Sequence, residues 1–192
     1  MKIGLYFGTF NPVHVGHVIL ANHMLHHTAL DEIWMVVTPH NPHKKKHTLL
    51  DNHHRLEMVY KATEEYDHIH PSDIEFKLTQ PNYTINTLVH LSEKFPQHEF
   101  AIMMGEDNLR SFHKWKNYEM ILQDYDVFVY PRIAENQEEV ILKSHPKVHL
   151  IQAPIVDISS TLIRKSIQDK KSVQHLLAPK VWSYIDLMNF YQ

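Results

Sequence analysis

A chain of 192 residues with 43% hydrophobic content fits one domain able to bury a sizeable core. Its net charge of −3 with neutral histidines argues against a nucleic-acid binder driven by charge, and the absence of cysteine excludes disulfides and thiolate chemistry. No apolar stretch approaches the ~18 residues of a membrane span, and Met1-Lys2-Ile3-Gly4 shows no signal-peptide pattern, so a soluble cytoplasmic protein is expected.

The apolar run Ile3 to Phe7 reads as a buried strand and 17–29 as a helix. Glu32 to Val37 reads as a strand, followed by a polar loop over 38–48. A helix is expected over 51–65, with Asp51 as its N-cap. Residues 68–79 look extended. Thr84 to Lys94 reads as a helix with Ile85, Leu88, Val89 and Leu91 on one side. Phe100 to Met104 is a short buried strand, 117–123 a helix and 127–130 a strand. A helix over 135–143 and a strand over 148–151 follow. Helices over 160–168 and 179–189 close the chain.

Short apolar strands alternating with amphipathic helices imply an α/β fold: a Rossmann-like, doubly wound parallel sheet covered on both faces. No repeat or linker divides the chain, so 1–192 is expected to be one domain, with about 160–192 as a small C-terminal helical part. Ligands of such sheets bind beyond the carboxyl ends of the strands. Residues 8–17, 38–46, 105–115 and 152–160 would fall there. Glycine occurs only four times, against roughly thirteen at average usage of about 7%. Gly8, Gly16 and Gly105 lie in these segments, which suggests positions where the backbone needs glycine.

The segment Gly8-Thr9-Phe10-Asn11-Pro12-Val13-His14-Val15-Gly16-His17 lies between the first strand and the first helix. A turn of this kind aims backbone N–H groups at one point and favours negative charge there. His14 and His17 add imidazole donors. The segment is neither a P-loop nor a G-x-G-x-x-G turn. Two histidines three apart could also suit a metal, but no third ligand at standard spacing accompanies them, so no metal site is expected. Near the far end, Ile158-Ser159-Ser160-Thr161-Leu162-Ile163-Arg164 offers a capping serine, a second hydroxyl and an arginine about one turn into a helix. Alone it is as readily an ordinary cap with a solvated arginine.

These two segments together resemble the nucleotidylyltransferase superfamily, and more closely the bacterial nicotinate-nucleotide adenylyltransferases. The likeness spans nearly the whole chain and includes three inner segments. They are Thr38-Pro39-His40-Asn41-Pro42-His43-Lys44, Asn82-Tyr83-Thr84-Ile85-Asn86-Thr87-Leu88, and Met104-Gly105-Glu106-Asp107-Asn108-Leu109 followed by His113-Lys114-Trp115. Asn11, Phe7 and Glu106 depart from the common family pattern without removing a phosphate donor.

The resemblance implies adenylyl transfer from ATP to nicotinate mononucleotide in NAD biosynthesis, with Mg²⁺ carried on the ATP. It implies His14, His17 and Arg164 as catalytic. For ATP it implies Gly8, Thr9, Phe10, Gly16, Lys44, Gly105, Asp107, Ile158, Ser159 and Ser160 beside those three. For the mononucleotide it implies Tyr83, Thr84, Trp115 and Lys44, with Trp115 stacked on the pyridine ring and the helix start at Thr84 facing its carboxylate. Asp107 is expected either to cap the short helix after Gly105 or to meet the ribose of ATP.

Phosphopantetheine adenylyltransferase and a nicotinamide-mononucleotide-specific relative are the rival enzymes. A histidine-rich metal buffer built on His40, His43, His47, His53 and His54 is a rival outside enzymology. A nucleic-acid module built on Lys44, Lys45 and Lys46 makes too weak a footprint. No membrane partner is expected, and a homo-oligomer stays open.

Overall fold

The computed structural model describes residues 1–39, 49–133 and 141–192. Six parallel strands form one sheet: β1 (Lys2–Gly8), β2 (Glu32–Val37), β3 (Ile69–Ser72), β4 (Glu99–Gly105), β5 (Asp126–Tyr130) and β6 (Val148–Leu150). Their spatial order is β3-β2-β1-β4-β5-β6. Leu5 pairs with Trp34 on one side and with Ile102 on the other, so β1 and β4 lie side by side at the sheet centre. The chain winds outward from β1 to β3, then returns to β4 and winds the other way. The order reverses between β1 and β4, where doubly wound sheets open a crevice for ligands.

Among the described residues the helices are α1 (Val15–His27), α2 (Asn52–Thr63), α3 (Thr84–Lys94), α4 (Glu106–Ser111), α5 (Tyr118–Asp124), α6 (Ser160–Gln168) and α7 (Pro179–Leu187). The strands feed two cores by simple alternation. Ala101, Met103, Phe128 and Tyr130 face α1, α2, α6 and α7, where Met24, Met58, Ile163 and Val181 are buried. Phe100, Ile102, Met104, Val127 and Val129 face α3, α4 and α5, where Leu88, Leu109 and Ile121 are buried. Burial on both faces is why these strands read as continuous apolar runs. Among the described residues, no helix is long and apolar enough to cross a membrane.

Three sequence expectations change. The first helix spans 15–27 rather than 17–29, because the His14 amide donates to His17 Nδ1 at 3.2 Å and the helix starts at once. Residues 68–79 are not extended throughout. After β3 the chain makes a 3₁₀ turn, Ile74–Lys77, that buries Ile74 and Glu75. The helix expected over 135–143 falls mostly outside the described residues, and its visible end, Ile141–Ser144, is a 3₁₀ turn.

Candidate active site

The carboxyl ends of the strands open onto a cleft of about 930 Å³. Gly8, Thr9, Phe10, His14 and His17 line it from the first turn. Tyr83, Thr84, Asp107 and Trp115 line it from α3, α4 and the turn beyond. Ile158, Ser159, Ser160 and Arg164 complete it from α6 and the residues before it. Segments more than 140 residues apart in sequence thus meet, as between Ser160 and Pro12 (separation 148).

His14 is the N-cap of α1 and His17 stands one turn in. Their rings stack with centroids 3.7 Å apart. Because the His14 amide donates to His17 Nδ1, a neutral His17 ring carries its proton on Nε2. His14 is 6% exposed, and its Nδ1 is buried without a hydrogen-bond partner. Burial first, and the nearby Arg132 charge second, lower its pKa to about 4, so the ring is neutral at pH 7.

The backbone around them is shaped by close approach. None of the described glycines has a positive φ; the left-handed residue of the first turn is Phe10, at φ 43°. A bulky residue held there costs of order 1–3 kcal/mol. Its ring is buried edge-on to His17 at 5.1 Å and to Tyr6 at 5.7 Å. Gly8 makes room for it, since a Cβ there would come within 2.8 Å of the Phe10 ring. A Cβ at Gly16 would come within 2.8 Å of Val156 and 3.1 Å of His14 Nδ1. The glycines therefore serve contact with neighbours, not unusual dihedrals. Gly16 and Gly105 lie outside the cleft lining itself.

Four remote side chains grip the first turn. The Ser160 hydroxyl donates to Pro12 O at 2.8 Å, and Arg164 Nη1 donates to Asn11 O at 2.7 Å. The Tyr191 hydroxyl donates to Asn11 Oδ1 at 2.8 Å. Arg55 Nη1 donates to Thr9 O at 2.7 Å. Ser159 caps α6, its hydroxyl accepting from the Leu162 amide at 3.1 Å. The second motif thus binds the first as well as facing the cleft.

On the opposite wall, Tyr83 is the N-cap of α3 and Thr84 its first residue, with no side-chain cap across the helix end. Lys116 Nζ lies 4.5 Å from the Tyr83 ring centre. Trp115 is half-buried, 5.0 Å from Phe112, with a side that lines the cleft. Glu75 is 2% exposed. It accepts from the Thr87 hydroxyl at 2.8 Å, and burial raises its pKa.

Asp107 does not cap α4. The N-cap is Gly105, and the Asp107 carboxylate lies 3.7 Å from Arg132 Nε. The Tyr6 and Tyr130 hydroxyls, 3.1 Å apart, lie at the back of the same region. Lys44, His40, His43, His47, Lys45 and Lys46 fall outside the described residues. Of the histidines suggested as a metal cluster, His54 Nδ1 pairs with the Tyr184 hydroxyl at 2.9 Å and His53 lies edge-on to Phe76 at 5.9 Å. Among the described residues, no group of three His, Cys, Asp or Glu could hold a metal.

Arg55, Tyr191, Glu75 and Arg132 escaped the sequence reading. The available signal for Arg55 was a charge on the face of α2 that carries Met58, Val59 and Ala62. Nothing local marks the other three.

The family described as cytidylyltransferase-like matches residues 5–166. A relative from Flavobacterium johnsoniae, named probable nicotinate-nucleotide adenylyltransferase, is 66% identical over 100% of both chains. Relatives with the same name from Flavobacterium psychrophilum and Bacteroides thetaiotaomicron are 62% and 40% identical, covering 100% and 96% of this chain and 100% and 91% of theirs. Among solved structures, a Plasmodium falciparum nicotinic acid mononucleotide adenylyltransferase complexed with NaAD superposes with a TM-score of 0.82. It is 23% identical, over 99% of this chain and 97% of that one.

Proposed function

The chain belongs to the cytidylyltransferase-like family and, within it, to the nicotinate-nucleotide adenylyltransferases, and from that premise we propose how its cleft works. The reaction is adenylyl transfer from ATP to nicotinate mononucleotide, giving nicotinate adenine dinucleotide and pyrophosphate, in NAD biosynthesis. One observation carries the assignment of roles: two stacked imidazoles start α1 at the carboxyl end of β1, and the N-terminus of α6, held against the same turn, lines the same cleft.

The mononucleotide phosphate attacks the α-phosphorus of ATP in line. Its second pKa of ~6 makes it an ionised nucleophile near neutral pH, so no general base is required. Catalysis is positioning and charge stabilisation. The Nε2–H of His17 and the neutral ring of His14 donate to the α- and β-phosphate oxygens. The amides around Thr9 and Phe10 cradle the triphosphate. The N-terminus of α6 and the remaining N–H groups of Arg164 hold the departing pyrophosphate. Lys44 adds a charge to the polyphosphate, and Asp107 meets the ribose of ATP.

The mononucleotide lies against the other wall. The uncapped start of α3 at Thr84 favours the pyridine carboxylate over a neutral amide. Lys116 above Tyr83 adds positive charge on that side. Trp115 stacks on the pyridine ring. Magnesium carried with ATP would neutralise phosphate charge and would need few protein carboxylates. The carboxylates of the cleft, Glu75 beside Thr87 and Asp107 beside Arg132, have different neighbours, which suits an ion that brings most of its own ligands. The proposal takes the chain as one domain, working in the cytoplasm.

Pyrophosphate release with ATP and Mg²⁺ tests the reading against nicotinate mononucleotide, its amide and phosphopantetheine. Fastest release with nicotinate mononucleotide is expected. Faster release with the amide would overturn the α3 assignment, and activity only with phosphopantetheine would overturn the substrate.

A further inference from the structure

We propose that Arg55 is a positioning residue for this reaction: it holds the Thr9–Phe10 peptide so that the Phe10 N–H faces the phosphates. The inference rests on the adenylyl-transfer reading and adds to it a side chain that touches no substrate.

Arg55 is fully buried in α2, and each of its five N–H groups has an acceptor. Nη1 donates to Thr9 O at 2.7 Å and to Thr38 O at 2.8 Å. Nη2 donates to Pro39 O at 3.0 Å and to Asn52 Oδ1 at 2.6 Å. Nε donates to Leu50 O at 2.9 Å. All five acceptors are neutral. The guanidinium therefore joins the turn after β1 to the residues after β2 and to those entering α2. Burial lowers its pKa to about 10, which leaves it charged at neutral pH.

The consequence for the site follows from peptide geometry. The Thr9–Phe10 bond is trans, so its carbonyl and its N–H point in opposite directions. With Thr9 O drawn to the buried guanidinium, the Phe10 N–H points away from it. Thr9 and Phe10 both line the cleft. Phe10 sits in the left-handed region, so its conformation needs an outside hold. Rotation of this one peptide would point the Phe10 N–H back into the protein and present a carbonyl oxygen to the phosphates. Lysine could not substitute, because one ammonium cannot reach acceptors spread around a planar fork.

Arg55→Lys and Arg55→Met test this by steady-state kinetics. The expected result is a kcat lower by about tenfold to a hundredfold, below the ~10²–10³ of losing a preorganised donor outright, because the Phe10 amide is misplaced rather than removed. The KM for nicotinate mononucleotide, bound at the other wall, should change by less than about threefold. Guanidinium ion added to Arg55→Ala should restore part of the lost kcat. A kcat within about twofold of wild type in a folded variant would overturn the proposal and leave Arg55 a structural staple. Should the variants fail to fold, the wild-type protein decides. In isotope-labelled protein, magnesium pyrophosphate should shift the Phe10 amide resonance downfield more than those of α3. An unmoved Phe10 amide while the His17 ring responds would overturn the proposal. The titration needs no turnover, so it stands apart from the substrate test: wild-type enzyme inactive on ATP and nicotinate mononucleotide would defeat the functional reading alone.

Discussion

The two ends of the sheet solve the same electrostatic problem in opposite ways. At the amino end, Lys2 on β1 lies 2.5 Å from Asp126 on β5, with His149 at 3.0 Å and Lys147 at 3.7 Å from the same carboxylate. Partial burial pushes the Asp126 carboxyl up, but hydrogen bonds from Lys2 and His149 and the nearby lysine charges bring it down to about 2. At the carboxyl end Arg132 lies beside the Asp107 carboxylate, but Arg55 and Arg164 donate to backbone carbonyls, to an amide and to a hydroxyl. Cations paired with a carboxylate are spent within the protein. Cations satisfied by neutral acceptors keep their field, and a polyanion in the adjoining cleft can use it. On the proposed reading, the first end serves stability and the second serves binding.

The sharpest way to break this contrast is at His17. His17→Ala should lower turnover about 10²–10³-fold, measured as pyrophosphate release. A loss under tenfold with the fold intact would remove His17 from the reaction. Acid titration comes next. The folded pKa of His14, about 4, is below its unfolded value of 6.5, so the unfolded chain takes up the proton first. The stability linked to His14 is complete above pH 6.5 and is lost as pH falls towards 4. It amounts to about 3 kcal/mol at most. In thermal melts between pH 7 and 4.5, wild type should therefore lose more stability than His14→Asn as pH falls; parallel curves would contradict the buried neutral ring.

A smaller effect distinguishes the walls of the cleft. Thr84→Val or Trp115→Ala should raise the KM for nicotinate mononucleotide about tenfold, with little change for ATP. Equal effects on both substrates would mean the pocket is misassigned. The smallest effect belongs to the amino end. Asp126→Asn should cost about 1 kcal/mol of unfolding free energy and leave kcat unchanged. A lowered kcat would erase the division between the two ends.

The legible parts of this molecule were the local ones. Helix α3 and the strand Glu32–Val37 fall on the boundaries read from periodicity, because a buried face leaves its period in the sequence. Asp51 caps α2 through the His53 amide at 2.8 Å, as its position predicts. At the turn Ile74–Lys77, the burial of Glu75 was not legible, because the hydroxyl that donates to it belongs to Thr87 on α3. Of the two roles left open for Asp107, the cap falls away, and its partner Arg132 was not legible because it follows another strand. Tyr191 reaches Asn11 across a separation of 180 residues, and no window along the chain contains both.

By itself the sequence determined the alternation of strands and helices, the parallel sheet they imply, and the two phosphate-type motifs at its ends. Backbone propensity and the burial period act within a few residues, and so they are written locally. Only the tertiary structure decided that Ser160, Arg164 and Arg55 clamp the carbonyls of the first turn, that Phe10 rather than a glycine takes the left-handed turn, and that His14 is buried neutral. Those outcomes depend on which distant groups share one cleft, and spatial proximity exists only once the sheet has brought its strands together.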